Sequence, residues 1–184
     1  MINFLKNKLR GYSFLYLIRL ELEQLLLVSS SIVPTKFGML IRWFFLKLLL
    51  KKSIGWQWIA TNVIFEHTKR ISIGQNVGIN SYTYINGVGE IEIGDNVLMG
   101  TFITITSGNH PTKNRDIPIF YRQVIPDKII IEDDVWIGSN VCILPGVKIR
   151  KGAVVGANSV VKTNTELEEY TIYAGSPVKK VGIR

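Results

Sequence analysis

Residues 129–161 read IIIEDDVWIGSNVCILPGVKIRKGAVVGANSVV, and in this stretch an aliphatic residue returns at every sixth position. These positions are Ile131, Ile137, Ile143, Ile149, Val155 and Val161. An aliphatic or small residue also stands two positions before each of them, at Ile129, Val135, Val141, Val147, Ala153 and Ser159. An α-helix needs apolar spacing near 3.6 residues and a single strand needs a spacing of about two, so a period of six fits neither. It predicts a chain that turns a corner every six residues, with three short strands to each coil of a parallel β-helix.

The same repeat continues toward the N-terminus in two registers. Ile73, Ile79, Ile85 and Ile91 form one register, and Ile93, Met99 and Ile105 form a second that is displaced by two residues. The displacement predicts a short corner insertion within residues 87–93. Between residues 106 and 128 the period is lost while prolines accumulate, which predicts a loop extruded from the coils. A loop of this length inside a compact domain is usually either functional or disordered.

These patterns divide the chain into three parts. Residues 1–58 are expected to form a helical arm, and residues 59–168 an all-β domain with the loop 106–128. Residues 169–184 are expected to form a C-terminal tail.

The arm is both basic and apolar. Residues 1–52 contain nine lysines or arginines and two glutamates, a net charge of +7, whereas residues 53–184 carry only +1. This separation argues against a nucleic-acid-binding domain and favours an anionic surface as the partner of the arm. Its apolar runs fall short of the ~18 uncharged residues that a spanning helix needs. They predict one or two amphipathic helices, broken at Pro34, that lie on a membrane surface, cap the open end of the β-helix, or do both.

Cysteine and histidine are scarce. The single cysteine, Cys142, cannot form an internal disulfide, which indicates a reducing compartment. We therefore expect a cytoplasmic protein whose arm contacts the inner face of the membrane. The two histidines, His67 and His110, are too few for a three-histidine zinc site, so no bound metal is expected.

The segment IEDDVWIGSNVCILPGVKIRKGAVVGANSVV, followed by YAGSPVKKV, resembles the closing coils of the hexapeptide-repeat acetyltransferases. Within them it is most similar to the maltose/galactoside and polysaccharide O-acetyltransferase branch, and the resemblance covers residues 62–184. It implies a left-handed β-helix, a homotrimer with its active sites between subunits, and acetyl-CoA as the acetyl donor. The left hand comes from the resemblance alone, because the usual crossover between parallel strands is right-handed.

His110 is the candidate catalytic base. It stands where the second register ends and the loop begins, in the sequence TSGNHP. A sugar hydroxyl is a poor nucleophile until a base removes its proton, and an imidazole can accept that proton and return it to the departing thiolate. The resemblance also assigns the base to a His-Pro at the start of such a loop. His67 lies before the first clean repeat and is expected to have no catalytic role.

The resemblance implies the remaining site residues. It places Asn80 and Trp136 at the acceptor, although Asn80 could equally stack at a coil corner and Trp136 could be a half-exposed strand aromatic. It places the acetyl-CoA groove along Gly100, Ser139, Ala157, Lys162 and Lys179. Lys162 departs from the pattern, because relatives often carry threonine there. The acidic partner of the base stays open among Glu90, Glu92 and Asp116.

The sequence thus predicts an enzyme that moves an acetyl group from acetyl-CoA to a sugar hydroxyl. Its acceptor is expected to be a sugar or a lipid-linked oligosaccharide in the biosynthesis of a surface polysaccharide. Two alternatives remain, an amino-sugar N-acetyltransferase and a non-catalytic β-helix scaffold. No nucleic acid is expected as a partner.

Overall fold

A computed structural model describes residues 13–113 and 115–184. It begins with two helices, α1 (Phe14–Ile32) and α2 (Thr35–Leu49), which are separated at Pro34. Neither described helix is long and apolar enough to cross a membrane. The rest of the described chain winds through three parallel sheets in turn, so that each coil contributes one strand to each sheet.

The strands are short and follow one another around a triangular prism. Sheet 1 contains β1 (Lys52–Ser53), β4 (Ile71–Ile73), β7 (Ile91–Ile93), β12 (Ile129–Ile131), β15 (Lys148–Ile149) and β18 (Glu166–Leu167). Sheet 2 contains β2 (Gln57–Ile59), β5 (Val77–Ile79), β8 (Leu98–Met99), β13 (Trp136–Ile137), β16 (Val154–Val155) and β19 (Thr171–Ala174), with β20 (Lys179–Ile183) added antiparallel to β19. Sheet 3 contains β3 (Ile64–Glu66), β6 (Tyr84–Asn86), β9 (Thr104–Thr106), β14 (Cys142–Ile143) and β17 (Val160–Val161). A two-residue ladder of β10 (Gly108–Asn109) and β11 (Ile125–Pro126) joins the two ends of the loop.

The six-residue repeat is the core of the prism. All twelve repeat positions between 129 and 161 are buried, as are those of the two earlier registers. Stacking these side chains coil on coil makes a continuous apolar interior, and this confirms the predicted β-helix.

The displacement between the two early registers is a corner insertion, as predicted. Partner residues of adjacent strands lie 20 positions apart early in the chain (Ser72 and Glu92) but 18 apart later (Ile130 and Lys148). The two extra residues of that coil lie in the turn at 87–90, between sheets 3 and 1. The loop leaves the next coil at the same corner, so every departure from the regular coil falls on one edge of the prism.

The helices cap one end of the prism. The buried Arg42 of α2 donates hydrogen bonds to the carbonyl oxygens of Ile59, Ser30 and Val33, each at 2.8 Å. On α1, the carboxylate of Glu23 accepts from Arg19 and from the Thr68 hydroxyl, both at 2.6 Å. Of the two roles expected for the arm, capping is therefore observed, although residues 1–12 lie outside the described part.

Candidate active site

His110 lies at the mouth of the extruded loop. The chain leaves sheet 3 after β9, and β10 then pairs with β11, so the ladder that closes the loop ends at Asn109, directly before His110. The main-chain N–H of His110 donates to Oδ1 of Asn109 at 2.9 Å, and the side chain is exposed. The imidazole is therefore accessible to an incoming hydroxyl group.

Ser107 anchors this mouth to the preceding coil. Its side chain is fully buried, and its hydroxyl donates to the carbonyl oxygen of Asn86 at 2.8 Å. Its main-chain carbonyl accepts the N–H of Asp127 at 2.8 Å, which ties the start of the loop to its end. Ser107 was not predicted as a site residue, since no sequence pattern distinguishes it from the other polar residues near the loop.

Arg122 stabilises the loop through hydrogen bonds to the main chain of the loop itself. Its guanidinium donates to the carbonyl oxygen of Pro111, the residue after His110, at 2.5 Å, and to that of Ile117 at 2.8 Å. Both bonds are charge-assisted, so they restrain the segment that carries His110. The signal available in the sequence was a single arginine inside an otherwise apolar segment, IFYRQVI.

Four of the expected site residues line up along one edge of the prism, which we name the sheet-2 corner. It consists of the turns that follow sheet 2, at residues 80–82, 100–102, 138–140 and 156–158. Each turn contributes one expected residue, namely Asn80, Gly100, Ser139 or Ala157. Nδ2 of Asn80 donates to the carbonyl oxygen of Met99 at 2.8 Å, which is the structural contact expected of a corner asparagine. Its Oδ1 accepts no hydrogen bond from the described residues and is free for a ligand.

Glycines at this corner let adjacent coils stack closely beside two main-chain N–H groups. A Cβ on Gly100 would stand 2.6 Å from the nitrogen of Ser139, and a Cβ on Gly138 would stand 2.6 Å from the nitrogen of Ala157. Within the described part of the chain, neither nitrogen donates a hydrogen bond. The hydroxyl of Ser139 accepts from the N–H of Thr101 at 3.2 Å and so stays at the same edge. The corner thus offers a row of small residues and two N–H donors without a partner among the described residues, which suits an extended ligand with carbonyl groups.

Exposed apolar side chains surround the sheet-2 corner. Trp136 points outward from sheet 2 with half of its surface exposed, beside the exposed Leu98 of the neighbouring strand. Tyr82 and Phe102 stack face to face with ring centroids 4.8 Å apart. Both have positive φ, at 63° and 57°, which is a costly backbone conformation for large side chains. This pair was not predicted from the sequence. Its signal was an aromatic residue at corner positions where other coils carry asparagine.

His110 and Lys162 lie on a different edge, which we name the sheet-3 corner, formed by the turns that follow sheet 3. Lys179 is opposite Ala174 on β20, one coil beyond Ala157. About six residues at ~3.3 Å each separate adjacent edges, so the two corners of one chain are up to ~20 Å apart. The structure therefore groups Asn80, Gly100, Ser139 and Ala157 with Lys179, and it does not bring them to His110 within one chain.

Two of the three acids considered as partners of the base are engaged elsewhere. Glu90 forms an ion pair with Lys51, and Glu92 forms one with Lys128 at 2.7 Å. Asp116 lies in the same loop as His110 and stays a candidate for the acidic partner of the base.

Burial raises the pKa of the Cys142 thiol, which keeps it protonated and unsuited to act as a nucleophile.

Comparison with known proteins gives concordant matches. A family model described as the hexapeptide repeat of succinyl-transferase matches residues 128–163. A putative lipopolysaccharide-biosynthesis O-acetyltransferase of Escherichia coli is 36% identical over an alignment of 116 residues, and the match covers 59% of this chain and 58% of that protein. The galactoside O-acetyltransferase of Escherichia coli is 33% identical over 129 residues, covering 67% of this chain and 59% of the relative. The chain thus spans less than two thirds of the length of these curated relatives.

Among solved structures, a hexapeptide-repeat acetyltransferase of Vibrio cholerae in complex with acetyl-CoA superposes with a TM-score of 0.82 and 27% identity. The match covers 95% of this chain and 92% of that one. Coverage this high extends over the two helices as well as the β-helix.

Proposed function

We propose that this chain, which is similar to hexapeptide-repeat acetyltransferases, transfers an acetyl group from acetyl-CoA to a sugar hydroxyl. The observation that carries the proposal is the sheet-2 corner, where the N–H groups of Ser139 and Ala157 lie beside Gly100 and Gly138 and donate no hydrogen bond within the described residues. The acetylated pantetheine arm is extended and bears amide and thioester carbonyls, so small residues with open N–H donors fit it. Lys179, farther along the same edge, supplies a positive charge for its phosphates.

In the proposed mechanism His110 acts as the general base. Its imidazole takes the proton of the acceptor hydroxyl as the oxygen attacks the thioester carbon. The N–H of Ser139 is a donor for the oxyanion that develops on the carbonyl oxygen. The imidazolium of His110 then returns the proton to the sulfur as the carbon–sulfur bond breaks. Acetyl-CoA supplies the activated acyl group, and neither a metal nor a covalent enzyme intermediate is needed.

This mechanism requires more than one copy of the chain, and we propose a homotrimer. His110 and Asn80 lie on different edges of the prism, so one chain alone does not complete the site. The loop carries exposed apolar side chains at Ile119, Phe120 and Tyr121, and sheet 2 exposes Leu98 and Trp136. Burying the loop of one copy against sheet 2 of the next would cover both patches and bring His110 to the sheet-2 corner.

The arm is proposed to hold the enzyme at the inner face of an anionic membrane. The outward faces of the helices expose large apolar side chains at Leu25, Val28, Ile32, Phe37, Leu40 and Phe44. The net charge of +7 within residues 1–52 complements acidic lipid headgroups. Flotation of the full chain with anionic and with neutral vesicles tests this part. Equal recovery with both, unchanged in the double variant Phe37→Ser and Phe44→Ser, would end the membrane proposal.

The central experiment measures CoA release with a panel of free and lipid-linked sugars. We expect release only in the presence of an acceptor, and His110→Ala should reduce kcat by about 10²–10⁴-fold. Acetyl-CoA should still raise the melting temperature of His110→Ala, because the sheet-2 corner is untouched. His67→Asn is the matched control and should keep full activity. Full activity of His110→Ala, or acceptors that are exclusively amines, would contradict the proposal.

A further inference from the structure

A pocket of about 340 Å³ opens at the sheet-3 corner, directly beneath the base of the loop. We name it the basic pocket. It is lined by residues from four separate segments of the chain: Lys51, Lys69, Arg70, Gly89, Glu90, Pro126, Asp127 and Lys128. Four of these are cations and two are anions, so positive charge prevails.

Two of the cations are available to a further anion. Lys51, Lys128 and Arg70 all lower the pKa of Glu90, with the hydrogen bond from Lys51 as the largest cause. Lys69 donates only to the carbonyl oxygen of Leu48 at 3.0 Å, and Arg70 to that of Val88 at 2.5 Å. Among the described residues neither Lys69 nor Arg70 forms an ion pair with a carboxylate. An anion with several oxygens can therefore bind here without displacing an existing salt bridge.

An apolar groove adjoins the basic pocket. It measures about 490 Å³ and runs between α1 and α2, which we name the helix groove. Its walls are mainly aliphatic, with Leu15, Ile18, Leu22, Leu26, Leu48 and Leu49 joined by Arg19, Glu23 and Lys69. Lys69 lines both spaces. The charged site and the aliphatic groove therefore meet at the Lys69 side chain.

The basic pocket also adjoins the segment that carries the catalytic base. Pro126, in its wall, pairs with Gly108, two residues before His110. Asp127, also in the wall, donates its N–H to the carbonyl of Ser107. A sugar attached to an anion in this pocket would therefore extend toward the loop mouth.

We propose that the acceptor is a sugar carried on a lipid phosphate, with the phosphate in the basic pocket and the adjoining hydrocarbon in the helix groove. This inference rests on the proposed acetyl transfer and narrows its acceptor. A free neutral sugar would use neither space, and a nucleotide sugar would leave the apolar groove empty. An amphipathic ligand with one phosphate end fits both spaces and their junction at Lys69.

The test needs no knowledge of the sugar. Full-length protein is titrated with farnesyl diphosphate, with inorganic pyrophosphate and with farnesol, and binding is followed by calorimetry below the micellar range. We expect farnesyl diphosphate to bind at least about tenfold more tightly than either partial ligand. Lys69→Gln and Arg70→Gln should each weaken it about tenfold, because each removes a charge-assisted contact. Lys151→Gln, which removes an exposed cation outside the pocket, should bind like the unaltered protein.

A second variant separates the two spaces. Leu22→Asn should abolish the advantage of farnesyl diphosphate over pyrophosphate and leave pyrophosphate binding intact. Equal binding of these two ligands to the unaltered protein would overturn the lipid assignment, and absence of binding by both would overturn the site. Acetyl-CoA is assayed in parallel by thermal shift. If acetyl-CoA binds and farnesyl diphosphate does not, the acceptor inference fails alone, whereas failure of acetyl-CoA to bind removes the proposed function itself.

Discussion

The main-chain N–H of Gly89 donates to the hydroxyl of Ser107 at 2.8 Å, and this bond joins a corner insertion to the mouth of the loop. There is no room for a side chain at this contact, because a Cβ on Gly89 would lie 2.2 Å from the carbonyl oxygen of Ser107. Ser107, which lies three residues before the candidate base His110, is thus held by hydrogen bonds to the preceding coil.

Ser107→Ala is expected to loosen the loop mouth. The change leaves the N–H of Gly89 without its acceptor in a buried setting, which costs about 1–3 kcal/mol of unfolding free energy. The effect on kcat should exceed the effect on the KM for acetyl-CoA, because the sheet-2 corner is unaffected. Urea denaturation and steady-state kinetics measure both quantities. Ser29→Ala, at an exposed helix position, is the control, and equal behaviour of the two variants would refute the anchoring role.

Gly100→Ala is expected to impair acetyl-CoA binding. The new Cβ would stand 2.6 Å from both the nitrogen and the hydroxyl oxygen of Ser139, so it covers the donor proposed for the thioester. The KM for acetyl-CoA should rise about tenfold or more, which corresponds to ~1.4 kcal/mol. Gly78→Ala is the matched control, since its Cβ would meet only the mobile tip of Leu98 at 3.0 Å. An unchanged KM in a folded Gly100→Ala enzyme would exclude this corner from the donor site.

The stability of the protein should fall as the pH drops below the ordinary pKa of histidine. Burial lowers the pKa of His67 from its ordinary value of 6.5, with Glu66 opposing and Arg70 reinforcing the shift. The unfolded chain therefore takes up this proton first, and stability present above pH 6.5 is lost as the pH falls toward the folded-state pKa.

Thermal unfolding at several pH values between about 7.5 and 5.5 tests the effect, a range that brackets the histidine pKa. The decrease should be smaller in His67→Asn, because asparagine tolerates the φ of 57° at this position and does not titrate. A pH profile that is identical in the unaltered protein and in His67→Asn would disprove the assignment.

Arg42→Met should detach the helices from the prism. The carbonyl oxygens of Ile59, Ser30 and Val33 each lose a charge-assisted hydrogen bond, and the expected cost is about 3 kcal/mol or more. Denaturation and limited proteolysis would report the loss, with cleavage concentrated in residues 14–49. Lys36→Met, an exposed cation on the same helix, should change stability by less than about 0.5 kcal/mol. Comparable losses in the two variants would contradict a specific role for Arg42.

The sequence pattern was sufficient for the fold and insufficient for the assembly of the site. A side chain that returns every six residues must face the inside of a three-sided coil, so the buried positions follow from periodicity alone. The periodicity does not show that His110 and Asn80 lie on different edges of the prism. Spacing along the chain does not reveal which edge of the prism a residue occupies until the two extra residues at the 87–90 corner are counted.

The burial of Arg42 and the basic pocket could not be predicted from the sequence pattern. Arg42 sits in an amphipathic helix, where an arginine would ordinarily face water, and its burial depends on carbonyl oxygens supplied by the end of the prism. The basic pocket combines lysines and an arginine from segments far apart in sequence. Only the winding of the coils brings Lys51, Arg70 and Lys128 together.

The direction of β20 has a consequence for how copies of this protein associate. A stack of identical coils could in principle template further coils at its open ends and polymerise into a fibre. Here α1 and α2 occupy one end, and β20 runs antiparallel to β19 on sheet 2 at the other. A strand that continued the parallel ladder of sheet 2 would meet β20, which runs in the opposite direction. The parallel ladder of sheet 2 is thereby interrupted at this end, and the flanks of the prism remain as surfaces through which copies can meet.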